Sequence, residues 1–361
     1  MDERPPTTKP TSVVIAAGGT AGHVVPALAV ADQLRAQGVQ VSFIGGERAE
    51  AQLVPAAGYP LHTISVSGLS RSNPLAALRA LARAARAFLR ARALLARLRP
   101  DVVMGGGGYV SGPVGLAALT RRIPLVLTEA DSHLGLANRA LAPFARRVCL
   151  AFEDSAPGRG SYLVTGRPVP PPQTDSAAAR TRLGVGAEET CVLVFGGSLG
   201  ARSINLAAVD AFAGAAFHVL HVCGHRDYPE LSRRTLPVGY DLREYLDLDA
   251  FADALAAADL VIARAGGSLF EIAAHGRPAI LVPYPHAAAD HQSSNARWMA
   301  QAGAAITIPD GELGASRLAH ETAALLADPR RLHAMAAASA RLGRPRAAHD
   351  VANALLEAAR R

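Results

Sequence analysis

The sequence predicts an α/β protein of two doubly wound, parallel-sheet domains, and three observations carry that prediction. The first is Val13–His23, a short apolar run that meets Gly18-Gly19-Thr20-Ala21-Gly22 and opens onto a helical pattern. Such a run, bounded by glycine, fits a strand covered on both faces of a parallel sheet. The second is the return of the same pattern at Cys191–Gly200: strand, Gly196-Gly197, a hydroxyl residue, Gly200, helix. The third is the proline-rich segment Gly166-Arg167-Pro168-Val169-Pro170-Pro171-Pro172, which can continue neither a helix nor a central strand. It divides the chain into domains of residues 1–166 and 167–344.

Within the first domain the helix after Gly22 is expected from about Val24 to Gln37. Strands follow at Val39–Ile44 and Leu61–Ser65, then a long helix from Pro74 to about Leu98. Asp101–Met104 reads as a strand that ends in Gly105-Gly106-Gly107-Gly108-Tyr109. A helix near Gly112–Arg121 and strands at Leu125–Thr128 and Arg147–Leu150 complete this half. Alternating strands and helices argue for a parallel sheet. In the second half, Asp259-Leu260-Val261-Ile262 repeats Asp101-Val102-Val103-Met104, and Pro278–Val282 repeats Pro124–Leu127. Each domain therefore offers glycine turns at the carboxyl ends of its strands, where ligands bind in open α/β sheets. Two such edges on either side of a linker are expected to form a cleft. The C-terminal segment is helical from about Ala315, and Gly343 and Pro345 break it. The last helix, within 345–361, is then placed to pack back on the first domain.

Composition narrows the function. The chain has 361 residues, enough for two ordinary domains, and a net charge of +7. That balance favours an acidic partner: phosphates, an anionic membrane surface or nucleic acid. Cys149, Cys191 and Cys223 are far apart and form no CxxC, so they read as core thiols in a reducing compartment. Residues 1–11 are polar and proline-rich, unlike a signal peptide, and no uncharged apolar run is long enough to span a bilayer. A cytoplasmic protein is expected.

The candidate chemistry sits at the turns. Gly18, Gly19 and Gly22 allow close approach to backbone amides, and a helix N-terminus favours an anion. His23 stands at the mouth, where an imidazole can take a proton. Ser198 offers a hydroxyl to a phosphate oxygen, against the plainer reading of a turn. In Arg264-Ala265-Gly266-Gly267-Ser268-Leu269-Phe270-Glu271, Glu271 suits the two hydroxyls of a ribose, or else complements the helix dipole. Gln292 and Asn295 are three apart and share a helical face suited to sugar hydroxyls, or to plain solvation. Thr128-Glu129-Ala130-Asp131 puts two carboxylates past a strand end, as a base, as a support for His23, or as helix caps. Asp247-Leu248-Asp249 has the spacing of a metal motif. The competing reading, Asp249 as the N-cap of Ala250–Ala257, is preferred, so no metal is expected.

The helix Pro74–Leu98 carries Arg79, Arg83, Arg86, Arg90 and Arg97 on one stripe, with Leu81, Phe88 and Leu95 opposite. It reads as a solvated basic face or as a strip against anionic lipid, with Ser67–Arg71 dipping into the interface.

Taken together, Gly18–His23, Gly107-Gly108-Tyr109-Val110-Ser111-Gly112-Pro113, Gly196–Arg202 and Arg264–Glu271 resemble the MurG family of bacterial glycosyltransferases. The likeness covers nearly the whole chain after residue 11. Members of that family add N-acetylglucosamine to an undecaprenyl-pyrophosphate-linked muramyl peptide, converting lipid I to lipid II in peptidoglycan synthesis. The resemblance implies a GT-B fold, two Rossmann-like domains with parallel sheets facing across a cleft, and no required cofactor or metal. It assigns UDP-N-acetylglucosamine to Ser198, to Gly266, Gly267, Ser268 and Leu269, to Glu271 at the ribose, and to Gln292 and Asn295 at the sugar. Thr20, Ala21 and Gly22 then line the transfer point. Gly19, Gly107, Gly108 and Tyr109 face the acceptor pyrophosphate, and His23 and Glu129 take base or support roles. The basic helix, with Arg79, Arg83, Arg86 and Arg90, becomes the contact with the cytoplasmic face of the membrane, where the protein is peripheral and partners in cell-wall synthesis are expected.

The chain departs from the family pattern in several places. Asp131 replaces an asparagine, which puts an amide contact to the donor in question. Pro170 replaces an arginine, for which Arg167 is the nearest substitute. Leu199 stands where glutamine is common, and the Arg264–Glu271 loop is one residue short. The expected reaction inverts the anomeric carbon and uses hinge motion at Pro168–Pro172. Other GT-B UDP-sugar transferases and UDP-sugar epimerases are the near alternatives. A nicotinamide dehydrogenase would need G-x-G-x-x-G and an acid ending the second strand, whereas that strand ends in Gly45-Gly46. A nucleic-acid binder is disfavoured because no aromatics interleave the basic stripe.

Overall fold

The structure is a computed structural model. It describes residues 10–65, 74–153, 161–197, 199–287 and 290–360, without the side chains of 74–82. Ser198, Ser67–Arg71 and the side chains of Arg79 and Leu81 therefore lie outside the described residues. The chain forms two compact units, Met1–Pro170 with Arg346–Arg361, and Pro171–Pro345. The change of unit falls four residues beyond the expected division after 166.

The first unit runs β1 (Ser12–Ala16), α1 (Ala21–Ala36), β2 (Gln40–Gly45), α2 (Ala49–Ala56), β3 (Leu61–Thr63), α3 (Pro74–Leu98), β4 (Val102–Gly105), α4 (Gly108–Thr120), β5 (Leu125–Glu129), α5 (Leu136–Leu141), β6 (Arg147–Leu150) and β7 (Tyr162–Val164). The second runs α6 (Ser176–Leu183), β8 (Cys191–Phe195), α7 (Arg202–Ala211), β9 (His218–Val222), α8 (Tyr228–Leu231), β10 (Tyr240–Arg243), α9 (Leu248–Ala257), β11 (Leu260–Ala263), α10 (Leu269–Ala274), β12 (Ala279–Leu281), α11 (His291–Gln301), β13 (Ala305–Thr307), α12 (Ala315–Leu326) and α13 (Pro329–Leu342). The last helix, α14 (Ala347–Ala359), belongs to the first unit, where Val351, Ala352 and Leu355 join the core of α1.

All strand pairs are parallel, in the order β3-β2-β1-β4-β5-β6-β7 and β10-β9-β8-β11-β12-β13. Both sheets therefore reverse direction at the same place, between the first and fourth strands of the unit. Ligand sites lie outside the carboxyl ends of the strands at such a point. Along β1, Val13 and Ile15 enter one core cluster while Val14 enters the other. Burial on both faces is why these strands read as unbroken apolar runs.

The duplication reaches single hydrogen bonds. Asp101, before β4, accepts the Ser12 amide at 2.7 Å and returns its own amide to the Ser12 carbonyl. Asp259, before β11, does the same with Cys191 at 2.8 Å. A carboxylate at this position satisfies the first amide of the central strand, which no neighbour on the ladder can reach.

Helices start earlier than periodicity suggests. The first begins at Ala21 and the fourth at Gly108, because glycine obscures the apolar pattern at their first turns. Ala315–Arg361 is three helices, since Asp328 caps a fresh start at Pro329. Asp249 is not a cap: Asp247 accepts the Ala250 amide at 2.8 Å and Asp249 lies in the first turn of α9.

Asp259 also holds Arg180 at 2.8 Å. Replacing Asp259 by Ala is expected to lower the first thermal unfolding transition by about 2–8 °C, read by calorimetry. An unchanged transition would show that the strand clamp adds nothing.

Candidate active site

In the first unit, β1, β4 and β5 deliver three turns to one pocket, lined by Gly22, His23, Gly107, Glu129, Asp131 and Asn138 among others. The two glycine turns interlock. Gly108 has φ +74°, and a Cβ there would overlap the Gly18 carbonyl oxygen. A Cβ on Gly107 would lie 2.7 Å from the His23 ring. Glycine is required at both positions for the backbones and the imidazole to come together.

His23 lies in the first turn of α1, with Nδ1 3.4 Å from the Thr20 hydroxyl. Burial lowers its pKa below the ordinary 6.5, and the nearby Arg167 guanidinium lowers it further, while Asp131 and Glu50 oppose. The ring is thus neutral near pH 7 and able to accept a proton. Arg167 itself is 8% exposed and donates to the Gly22 carbonyl. The residue expected to meet the sugar-nucleotide thus stands beside His23.

Glu129 ends β5, and its carboxylate is fully engaged. It accepts from the amides of Ala130, Asp131 and Gly135 at 3.1, 3.2 and 2.8 Å, and from Asn138 Nδ2 at 2.9 Å. Burial raises its pKa, against the pull of these donors. The arrangement suits a group that shapes the 130–135 loop better than one that moves protons.

Gly19 was expected to offer its amide to an anion. That amide instead donates to Glu50 at 2.8 Å, and the Tyr109 hydroxyl donates to the same carboxylate at 2.8 Å. Sequence reasoning passed over Glu50. The available signal was an acid in the first turn of α2, four residues after Gly46 at a strand end.

In the second unit, Gly196, Gly197 and Gly200 form the turn between β8 and α7. Gly200 has φ +74°, and a Cβ there would overlap the Cys223 carbonyl oxygen. The turn after β11 is held by Arg264, which donates to Asp310 at 2.5 Å, to Ser203 at 2.8 Å and to the Val282 carbonyl at 3.1 Å. Gly266, Gly267, Ser268 and Glu271 are half-buried here, while the Leu269 side chain is fully buried, so only its backbone faces the turn. Gln292 and Asn295 share a face of α11 and both grip neighbouring backbone. Gln292 accepts the Tyr284 amide at 2.9 Å, and Asn295, 2% exposed, donates to the Ala265 carbonyl at 3.1 Å. Asn295 therefore braces the turn from behind.

On α3, Arg83, Arg86 and Arg90 are exposed, as is Leu89 at 62%, while Ala87, Ala91 and Leu95 enter the core. Arg83, Arg86, Ala87, Leu89 and Arg90 border a groove that also takes in Arg48, Ile64 and Tyr109. Among the described residues no helix is long and apolar enough to cross a membrane.

Two parallel sheets of the same order, each with glycine turns at the carboxyl ends of its strands, form the architecture of a GT-B-type protein. The glycosyltransferase family 28 N-terminal domain matches residues 13–150, and the glycosyltransferase family 28 C-terminal domain matches residues 191–351. The chain is 44% identical to a UDP-N-acetylglucosamine–N-acetylmuramyl-(pentapeptide) pyrophosphoryl-undecaprenol N-acetylglucosamine transferase of Moorella thermoacetica, covering 96% of this chain and 98% of that one. A Pseudomonas fluorescens protein of the same name is 41% identical, covering 96% and 99%. The crystal structure of Acinetobacter baumannii MurG aligns with a TM-score of 0.77 at 29% identity, covering 96% of this chain and all of that one. The chain belongs to glycosyltransferase family 28.

An NMR titration of His23 is expected to give a midpoint below 6.5. Arg167→Gln, which removes the cation that disfavours imidazolium, should move that midpoint upward. A midpoint at or above 6.5 in the parent would contradict the neutral ring.

Proposed function

We infer that this chain transfers N-acetylglucosamine from UDP-N-acetylglucosamine to N-acetylmuramyl-(pentapeptide) pyrophosphoryl-undecaprenol, the lipid I acceptor of peptidoglycan synthesis. The observation that carries this is end-to-end likeness, 38–44% identity over 96% of the chain, to transferases named for that reaction.

The muramyl 4-hydroxyl attacks the anomeric carbon as the bond from that carbon to the UDP oxygen breaks, so configuration inverts. The hydroxyl proton passes to His23. The Thr20 hydroxyl lies 3.4 Å from Nδ1 and helps to hold the ring. The Asp131 carboxylate stabilises the imidazolium that results. Glu129 keeps the loop bearing Asp131 in place and exchanges no proton. Gly22, Ala21, Gly107 and Gly108 shape the acceptor side.

The second unit holds the donor: the Gly196–Gly200 turn with Ser198 at the diphosphate, Glu271 at the ribose, and Gly266, Gly267, Ser268 and Gln292 at the sugar. Charge that develops on UDP is met by preoriented amide dipoles, which need no reorganisation during the reaction. UDP-N-acetylglucosamine enters as a substrate, and the inversion uses no cofactor.

The exposed Arg83, Arg86 and Arg90 with Leu89 suit the anionic cytoplasmic face of a membrane, each cation worth about 1 kcal/mol near such a surface. A peripheral position there brings the enzyme to its lipid acceptor.

His23→Ala is expected to lower kcat on the order of 10²–10⁴-fold while leaving the KM for UDP-N-acetylglucosamine within a few-fold. The measurement is release of UDP on a lipid I analogue, and activity close to the parent would remove His23 from the base role.

A further inference from the structure

We propose that Glu50 is a positioning residue for the transfer site, an internal anion occupying the seat in the first glycine turn that a phosphate would otherwise take. The proposal rests on the transferase reading above and deepens it.

Glu50 is 0% exposed and belongs to the first turn of α2. One carboxylate oxygen accepts the Gly19 amide at 2.8 Å; the other accepts the Gly46 amide and the Tyr109 hydroxyl, each at 2.8 Å. Three chain segments are thereby tied to one charge: the turn after β1, the turn after β2 and the first turn of α4. A buried carboxylate is tolerated only where such donors surround it. These donors, led by the Gly19 amide, hold its pKa below the usual carboxylate range despite burial. Burial, and after it Glu50, pushes the Tyr109 hydroxyl up to about 12, so that group stays protonated and can donate.

The glycines bear the same mark. A Cβ on Gly18 would stand 2.8 Å from a Glu50 oxygen, and one on Gly46 would overlap the Tyr109 hydroxyl. Two of the glycines in this unit therefore make room for the protein's own carboxylate and its tyrosine partner. The consequence is selectivity. With its amide engaged and a negative charge beside it, the turn after β1 disfavours a phosphate of either substrate at the Gly19 amide itself. The same tie sets the start of α1, and so the position of His23, relative to Gly107.

The isosteric Glu50→Gln removes the charge and turns an N–H donor toward the backbone amide of either Gly19 or Gly46, neither of which can accept, so one tie is lost whichever way the side-chain amide faces. The test uses full-length parent, E50Q, Y109F and the double variant, with labelled UDP-N-acetylglucosamine and a lipid I analogue. E50Q is expected to lower kcat/KM for the acceptor on the order of 10–100-fold with donor KM within two-fold, Y109F less so, and the double variant no more than E50Q alone. In parallel, the Gly19 amide proton of the parent should resonate downfield and exchange slowly, and E50Q should abolish both properties. If the parent transfers nothing, the reaction is refuted and the amide signals alone decide on Glu50. If E50Q does not fold, a loss in Y109F confined to the acceptor, together with the parent amide signals, decides. Acceptor kinetics of E50Q within two-fold of the parent, additive losses in the double variant, equal changes in both KM values, or a fast-exchanging Gly19 amide would each overturn the proposal.

Discussion

Everything in the first unit depends on one close approach, the packing of the Gly106–Gly108 turn directly on the carbonyl of Gly18. It is possible only because β1 and β4 are neighbours and Gly108 adopts a left-handed φ. Once the two backbones touch, the His23 ring lies over Gly107 and the Tyr109 hydroxyl reaches Glu50. Any side chain at Gly108 would separate the turns and carry His23 away with them. The second unit has a close contact of its own between a different pair of turns: Gly200, after β8, packs on the carbonyl of Cys223, after β9. Two copies of one supersecondary plan thus arrive at two different sites by filling the turns differently.

That difference is chemical. In the first unit the turn after β1 is closed by a carboxylate, and the nearby charges of Arg167 and Asp131 compete over one imidazole. In the second, the turn after β11 is braced by Arg264, Asp310 and Asn295. In the function proposed above, a neutral base and a turn that receives a diphosphate call for opposite electrostatics, and the two units divide them.

Much of the plan was legible in the sequence. The strands announced themselves because burial on both faces leaves apolar runs such as Val13–Ala16, and the duplication showed through Asp101 and Asp259 at matching places. Helix starts were blurred because glycine at Gly22 and Gly108 hides periodicity. What sequence could not convey was which polar groups find partners. Gly19 reads as an anion ligand, Glu129 as a base or a support, Arg167 as a donor contact and Asn295 as a sugar contact. The structure adds what spacing does not show, that each is tied to protein groups tens of residues away or within its own loop. Glu50 escaped notice for the same reason: its partners Gly19, Gly46 and Tyr109 are brought together by the sheet, not by spacing.

The most direct test of this account is the variant Gly108→Ala, measured for UDP binding by calorimetry and for sugar transfer to a lipid I analogue. The account predicts that UDP binds as in the parent while transfer falls by about 100-fold or more, the scale expected when reacting groups are displaced by about 1 Å. Transfer near the parental rate, or loss of UDP binding along with it, would contradict the claim that the interlocked turns of the first unit build the transfer site.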